Sequence, residues 1–107
     1  MHFAVIVVVL FLVSVPFAVA QEGGNAAKGL AYARTQCAEC HAVERTDGFS
    51  PGARAASFVH IANTPGMTAT ALLVWFQTPH RTMPNLIIPE ADRRNIIAYI
   101  VSLRAKP

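Results

Sequence analysis

Residues 21–107 are predicted to form an all-α domain. Three observations predict it. No segment alternates apolar and polar residues as a half-buried strand does. Two segments carry apolar residues at helical spacing, and capping and breaking residues fall where those segments begin and end.

The elements follow in order. Residues 25–37, "NAAKGLAYARTQC", are alanine-rich and open on Asn25, a residue suited to an N-cap, so they predict a first helix. Residues 42–54, "AVERTDGFSPGAR", hold turn formers and no apolar period, which predicts a loop. "AASFVHIA" predicts a short helix. "TPGMTATALLVWFQTP" predicts another, with Thr68 as cap, Leu72, Trp75 and Phe76 on one face, and Pro79 as the stop. "HRTMPNLIIP" reads as extended loop. The last helix has Pro89 at its first position, Glu90 and Asp92 in its first turn, and Arg104 and Lys106 near its end. Ile96, Tyr99, Ile100 and Leu103 form its apolar stripe.

Residues 1–20, "MHFAVIVVVLFLVSVPFAVA", stand apart. They hold no acidic residue, run apolar from Phe3 to Val15, break at Pro16 and finish on the small-x-small triplet Ala18-Val19-Ala20. This predicts a secretory signal peptide cleaved between Ala20 and Gln21, and hence export. The segment carries no Lys or Arg and is nearly long enough to span a bilayer, so an uncleaved anchor is the alternative. Pro16 and the triplet favour removal. All the charged side chains follow Ala20, so the formal charge of +3 belongs to residues 21–107. That modest excess, without a dense Lys/Arg cluster, speaks against a nucleic-acid partner.

The chemistry concentrates in Cys37-Ala38-Glu39-Cys40-His41, which holds both cysteines of the chain. Such spacing serves a redox dithiol, half of a zinc site, or covalent haem attachment. A redox dithiol belongs at a strand-to-helix junction, and no strand is predicted. A structural zinc needs four ligands, and His41, His60 and His80 do not stand at the usual spacings. A disulfide across two residues would leave His41 without a role. Haem attachment uses every part: each thiol adds to a vinyl group, and the histidine after the second cysteine reaches the iron.

With "CAECH", "TMPN" about forty residues later, and the closing "NIIAYIVSL", the chain resembles the small bacterial monohaem branch of the class I cytochromes c. The resemblance covers nearly all of residues 21–107. It implies a small cytochrome c fold, with N- and C-terminal helices crossing around one haem c bound through Cys37 and Cys40. Gly29 matches the family's crossing glycine and Tyr99 its aromatic on the last helix. Many members carry a further aromatic four residues after the glycine; here that place is Ala33, with Tyr32 one earlier. The resemblance also implies that a loop-proline carbonyl accepts from the ligating imidazole, for which Pro51 is the matching residue.

The metal ligands expected are His41 and Met83, the latter in the "TMPN" loop; a thioether opposite an imidazole raises the reduction potential. Met67 reads as a core residue, and His60 and His80 as non-ligands. Trp75 is a candidate indole donor to a haem propionate. Leu30, Phe58, Ile61, Leu72, Phe76, Leu86, Ile87, Ile96 and Ile100 are assigned to the haem pocket and helix core.

A site filled by His41 and Met83 leaves no position for a substrate. The expectation is therefore a periplasmic one-electron carrier, not an enzyme, in a respiratory chain. Its partners would be a donor dehydrogenase or quinol complex and an acceptor oxidase or reductase, with membrane contact only through the leader if uncleaved. One alternative is a haem subunit held permanently by one dehydrogenase or oxidase. Others are a ligand-binding haem sensor or peroxidase-like enzyme whose Met83 bond opens, and a dithiol protein without haem.

Overall fold

A computed structural model of the chain describes residues 23–78, Met83 and 87–106. The expected leader at residues 1–20 lies outside them, as do His80, Arg81, Pro84 and Leu86 of the loop before the last helix. The described residues form four helices and no strand: α1 (Ala26–Gln36), α2 (Phe58–Asn63), α3 (Ala69–Gln77) and α4 (Glu90–Ser102).

Three helices start where a side chain satisfies an amide that the helix itself cannot. The Asn25 side chain accepts from the Lys28 N–H, Ser57 from His60 and Thr68 from Ala71. Each such cap contributes about 1 kcal/mol. At α4 the sequence expectation needs a small correction: Pro89 is the N-cap, not the first helical residue. Its ψ of 144° is extended, so the helical turn begins only at Glu90. The Pro89 carbonyl already accepts from the Arg93 N–H at 2.9 Å. With no side-chain cap here, Glu90 and Asp92 in the first turn complement the helix dipole.

The dominant interface is α1 across α4. Its closeness is set by Gly24 and Gly29, where any Cβ would run into the Arg94–Asn95 backbone. Beside them the Asn25 N–H donates to Asn95 Oδ1 at 2.8 Å. Ala33, 0% exposed, occupies the next turn of the crossing, while Tyr32 packs at its edge, half-buried. The short side chain at 33 is what lets Ile96, Tyr99 and Ile100 close over α1, all three buried. Full burial of one such isoleucine contributes about 1.5–3 kcal/mol.

The end of α4 is held by Arg45 from the α1–α2 connection and by Asn63 at the end of α2. Arg45 donates to the carbonyls of Ser102 and Leu103, and Asn63 to that of Leu103. Asn63 Oδ1 accepts from the Ala105 N–H, and Arg104, beyond the helix end, donates to the Met67 carbonyl. The Arg45 cation and the Asn63 amide therefore meet carbonyls at the end of α4 that the helix leaves unpaired.

Of the residues assigned to pocket and core, Phe58, Leu72, Ile96 and Ile100 are buried, and Leu30, Ile61 and Phe76 pack against that core. Ile87 does not: it is 95% exposed, in the extended segment leading into Pro89. Trp75 is also turned further out than its helical spacing implies, at 52% exposed. Residues 72–76 are apolar without interruption, so spacing alone does not single out a buried face on α3.

A candidate haem-attachment site

The Cys37–His41 motif continues the last turn of α1. The amide of Cys37 bonds to the Ala33 carbonyl at 2.9 Å, and those of Cys40 and His41 bond to the Cys37 carbonyl at 3.2 and 2.9 Å. The helical winding separates the two sulfurs. Cys37 turns into the core and Cys40 outward, and both are free thiols. Burial pushes the Cys37 thiol up to about 11. That burial disfavours the Cys37 thiolate. Among the described residues no three His, Cys, Asp or Glu side chains converge as a metal cluster.

After His41 the chain folds back on itself. Asp47 Oδ2 accepts from the amides of Val43 and Glu44, and Ser50 Oγ from that of Ala42. Gly48, with φ of +64°, takes the left-handed turn between them. The Gly52 N–H then bonds to the Cys40 carbonyl at 2.9 Å, and the Phe58 N–H to the Ala42 carbonyl at 2.9 Å. These two bonds bracket His41 and place residue 56 beside its ring. The result is a 2.6 Å hydrogen bond between His41 Nδ1 and the Ala56 carbonyl.

This bond corrects one expectation. The acceptor for His41 is Ala56, not Pro51. The tight turn in which the Ala55 N–H bonds to the Gly52 carbonyl carries the chain past Pro51 before it returns to the imidazole. Pro51 instead borders an open cleft shared with Ala38, His41, Ala42, Asp47 and Phe49. Phe49 itself is 98% exposed there. Nothing in the side-chain sequence marks Ala56, because its contribution is a backbone carbonyl. Asp47 and Ser50 were legible only as loop formers.

The remaining predicted residues lie in the α3–α4 half of the chain. Trp75 is on α3, and Met83 is half-buried in the segment between α3 and α4. Met67 packs against the core from the α2–α3 connection, as expected of a core methionine.

The donor set can be tested for haem directly. A carbonyl oxygen only accepts, so His41 Nδ1 carries the proton, and in the neutral ring Nε2 keeps its lone pair. A bare Nε2 beside two free thiols three residues apart, at the end of a helix in an all-helical frame, is the equipment of a c-type haem protein. The residues present fit the group.

Comparison with known proteins agrees. The chain is 31% identical over 80 residues to cytochrome c-552 of Bradyrhizobium diazoefficiens, an alignment covering 75% of this chain and 76% of that protein. No protein-family model matches the chain, and no solved structure gives a significant match. The chain belongs to the cytochrome c family.

Proposed function

We propose that the protein is an exported one-electron carrier of the bacterial periplasm, with one haem c bound through Cys37 and Cys40 and ligated by His41 and Met83. The observation that carries the reading is the His41 arrangement, in which the Ala56 carbonyl takes the Nδ1 proton and leaves Nε2 as the only ring nitrogen able to bind a metal. Family membership supports the same reading. When bound, haem supplies an iron centre that accepts and returns a single electron.

The chain's own residues do the rest. The Ala56 carbonyl holds the imidazole in one tautomer and raises its basicity as a ligand. Cys37 and Cys40 hold the group so that it cannot exchange. Apolar packing by Phe58, Leu72 and Ile96 lowers the local dielectric, which disfavours the more highly charged oxidation state. A Met83 thioether as second ligand acts in the same direction and closes the remaining position to substrates. The partners are then a donor dehydrogenase or quinol complex and an acceptor oxidase or reductase.

The test is spectroscopic. Protein matured in a host that makes c-type cytochromes should have the mass of residues 21–107 plus one haem, and the haem should survive acid–organic extraction. Met83→Ala should retain that haem, lose the thioether–iron absorption of the oxidised form and begin to bind cyanide or carbon monoxide. Apoprotein mass from such a host would overturn the haem assignment. An unchanged thioether band in Met83→Ala would overturn the ligand assignment.

A further inference from the structure

One hydrogen bond does not fix an imidazole. The Nδ1–H bond to Ala56 draws one ring atom toward one oxygen, but the terminal torsion of histidine is broad, and the ring plane can still rotate about that anchor. A second contact is needed to set the plane. The structure supplies it in Phe58, whose ring centroid lies 5.5 Å from that of His41 with the planes tilted by 51°. This is the tilted geometry that the aromatic quadrupole favours.

Phe58 is itself immobilised. It is buried as the first residue of α2, directly after the Ser57 cap. Its N–H bonds to the carbonyl of Ala42, the residue following His41. Its other neighbour is Tyr99 of α4, at 6.4 Å and 52°. The Tyr99 hydroxyl donates at 2.6 Å to the Val43 carbonyl, one residue further along. Both bonds therefore return to the two residues after the imidazole. Three residues of one segment, Ala56 to Phe58, thus supply the acceptor and the packing surface, and the C-terminal helix locks that segment in place.

We infer that Phe58 is a positioning residue for His41: its ring sets the rotation of the imidazole plane, and Tyr99 couples that rotation to the α1–α4 crossing. The inference rests on His41 being the iron ligand. Imidazole rotation changes the overlap of the ligand with the iron d orbitals, so it is read in the ferric spectrum independently of electron-transfer activity.

The experiment uses the ferric holoprotein. Wild type should show hyperfine-shifted His41 ring protons with nuclear Overhauser contacts to the Phe58 ring. Phe58→Leu, which keeps an apolar side chain but removes the plane, should retain haem yet change the g-value spread in electron paramagnetic resonance. It should also speed exchange of the His41 Nδ1 proton about tenfold or more. Phe58→Tyr, which retains the ring, should restore both signatures toward wild type. A Phe58→Leu protein that loses thermal stability while keeping wild-type g-values and proton exchange would overturn the inference. If Phe58→Leu does not assemble, the wild-type contact decides alone: its absence overturns the inference and its presence supports it. Failure of the underlying reading is distinct, because His41 ring protons without hyperfine shifts would show that His41 is not a ligand, whatever its contact with Phe58.

Discussion

Gly29→Ala puts two effects in opposition at one atom. In an exposed helix the change would stabilise by about 1 kcal/mol, because alanine is the better helix former. Here the new Cβ would sit 2.5 Å from the Asn95 carbonyl carbon and 2.9 Å from Tyr99 Cβ, with the Asn95 oxygen closer still. Carbon atoms pack best at about 3.5–4.0 Å, so α1 and α4 must separate by roughly 1 Å. A gap of about that size forfeits up to half of each dispersion contact across the interface. The side chains losing contact are Ala33, Ile96, Tyr99 and Ile100, all in the core. Overpacking of this kind costs about 1–3 kcal/mol and occasionally more, and an obstruction by backbone places Gly29 at the upper end. After the propensity gain we expect a net loss of about 2 kcal/mol. For a domain of this size that lowers the melting temperature by roughly 8–16 °C. Urea unfolding of the holoprotein should show a lower midpoint with an unchanged slope. Gly23→Ala is the control: nothing lies within 4 Å of its Cβ position, so the change should be within about 0.5 kcal/mol of wild type. A Gly29→Ala protein as stable as wild type would refute the close crossing.

Two further outcomes follow from the same coordinates. Burial, and then the Glu44 charge, raises the Tyr99 hydroxyl above its ordinary value of 10.0, so the unfolded chain ionises first as pH rises. Stability present below about pH 10 is then lost as pH climbs toward the folded value. Tyr99→Phe should cost about 1–3 kcal/mol at pH 7, from the orphaned Val43 carbonyl, and show a smaller alkaline loss; urea midpoints at pH 8 and 10.5 measure both. Met67→Ala should cost about 1–2 kcal/mol, less than a fully buried methionine, and leave the visible spectrum unchanged. A lost thioether band in that variant would move the ligand role from Met83 to Met67.

Helix placement was legible because it is written in side chains. Asn25 and Thr68 stand at the caps they were expected to fill, and the stripe from Ile96 to Leu103 faces inward throughout. Gly29 was legible only through the family resemblance, which matched it to a glycine at the helix crossing. The Ala56 carbonyl was not. Every non-proline residue offers an identical carbonyl, and which one reaches His41 depends on where the turn from Gly52 to Ala55 closes. The assignment to Pro51 chose a residue type where the fold chose a position. Ile87 failed differently. Apolar character predicts burial only on average, and Ile87 is 95% exposed in the segment before α4.

The α1–α4 crossing also sets an order of events. The hydrogen bond from Asn25 to Asn95 joins residues 70 apart, and closing such a loop costs on the order of 4 kcal/mol in chain entropy. A chain made from its N-terminus presents α4 last, so for most of its synthesis Cys37 has no C-terminal helix to be buried with. Once α4 has packed, the Cys37 sulfur shares the core with Tyr99 and Ile100, while Cys40 stays open to solvent. A chain ending at Pro89 should accordingly let maleimide modify both thiols at similar rates. The full-length apoprotein should react much faster at Cys40, and equal rates in both chains would contradict this. Chemistry that needs both sulfurs has its opening before the two ends of the chain meet.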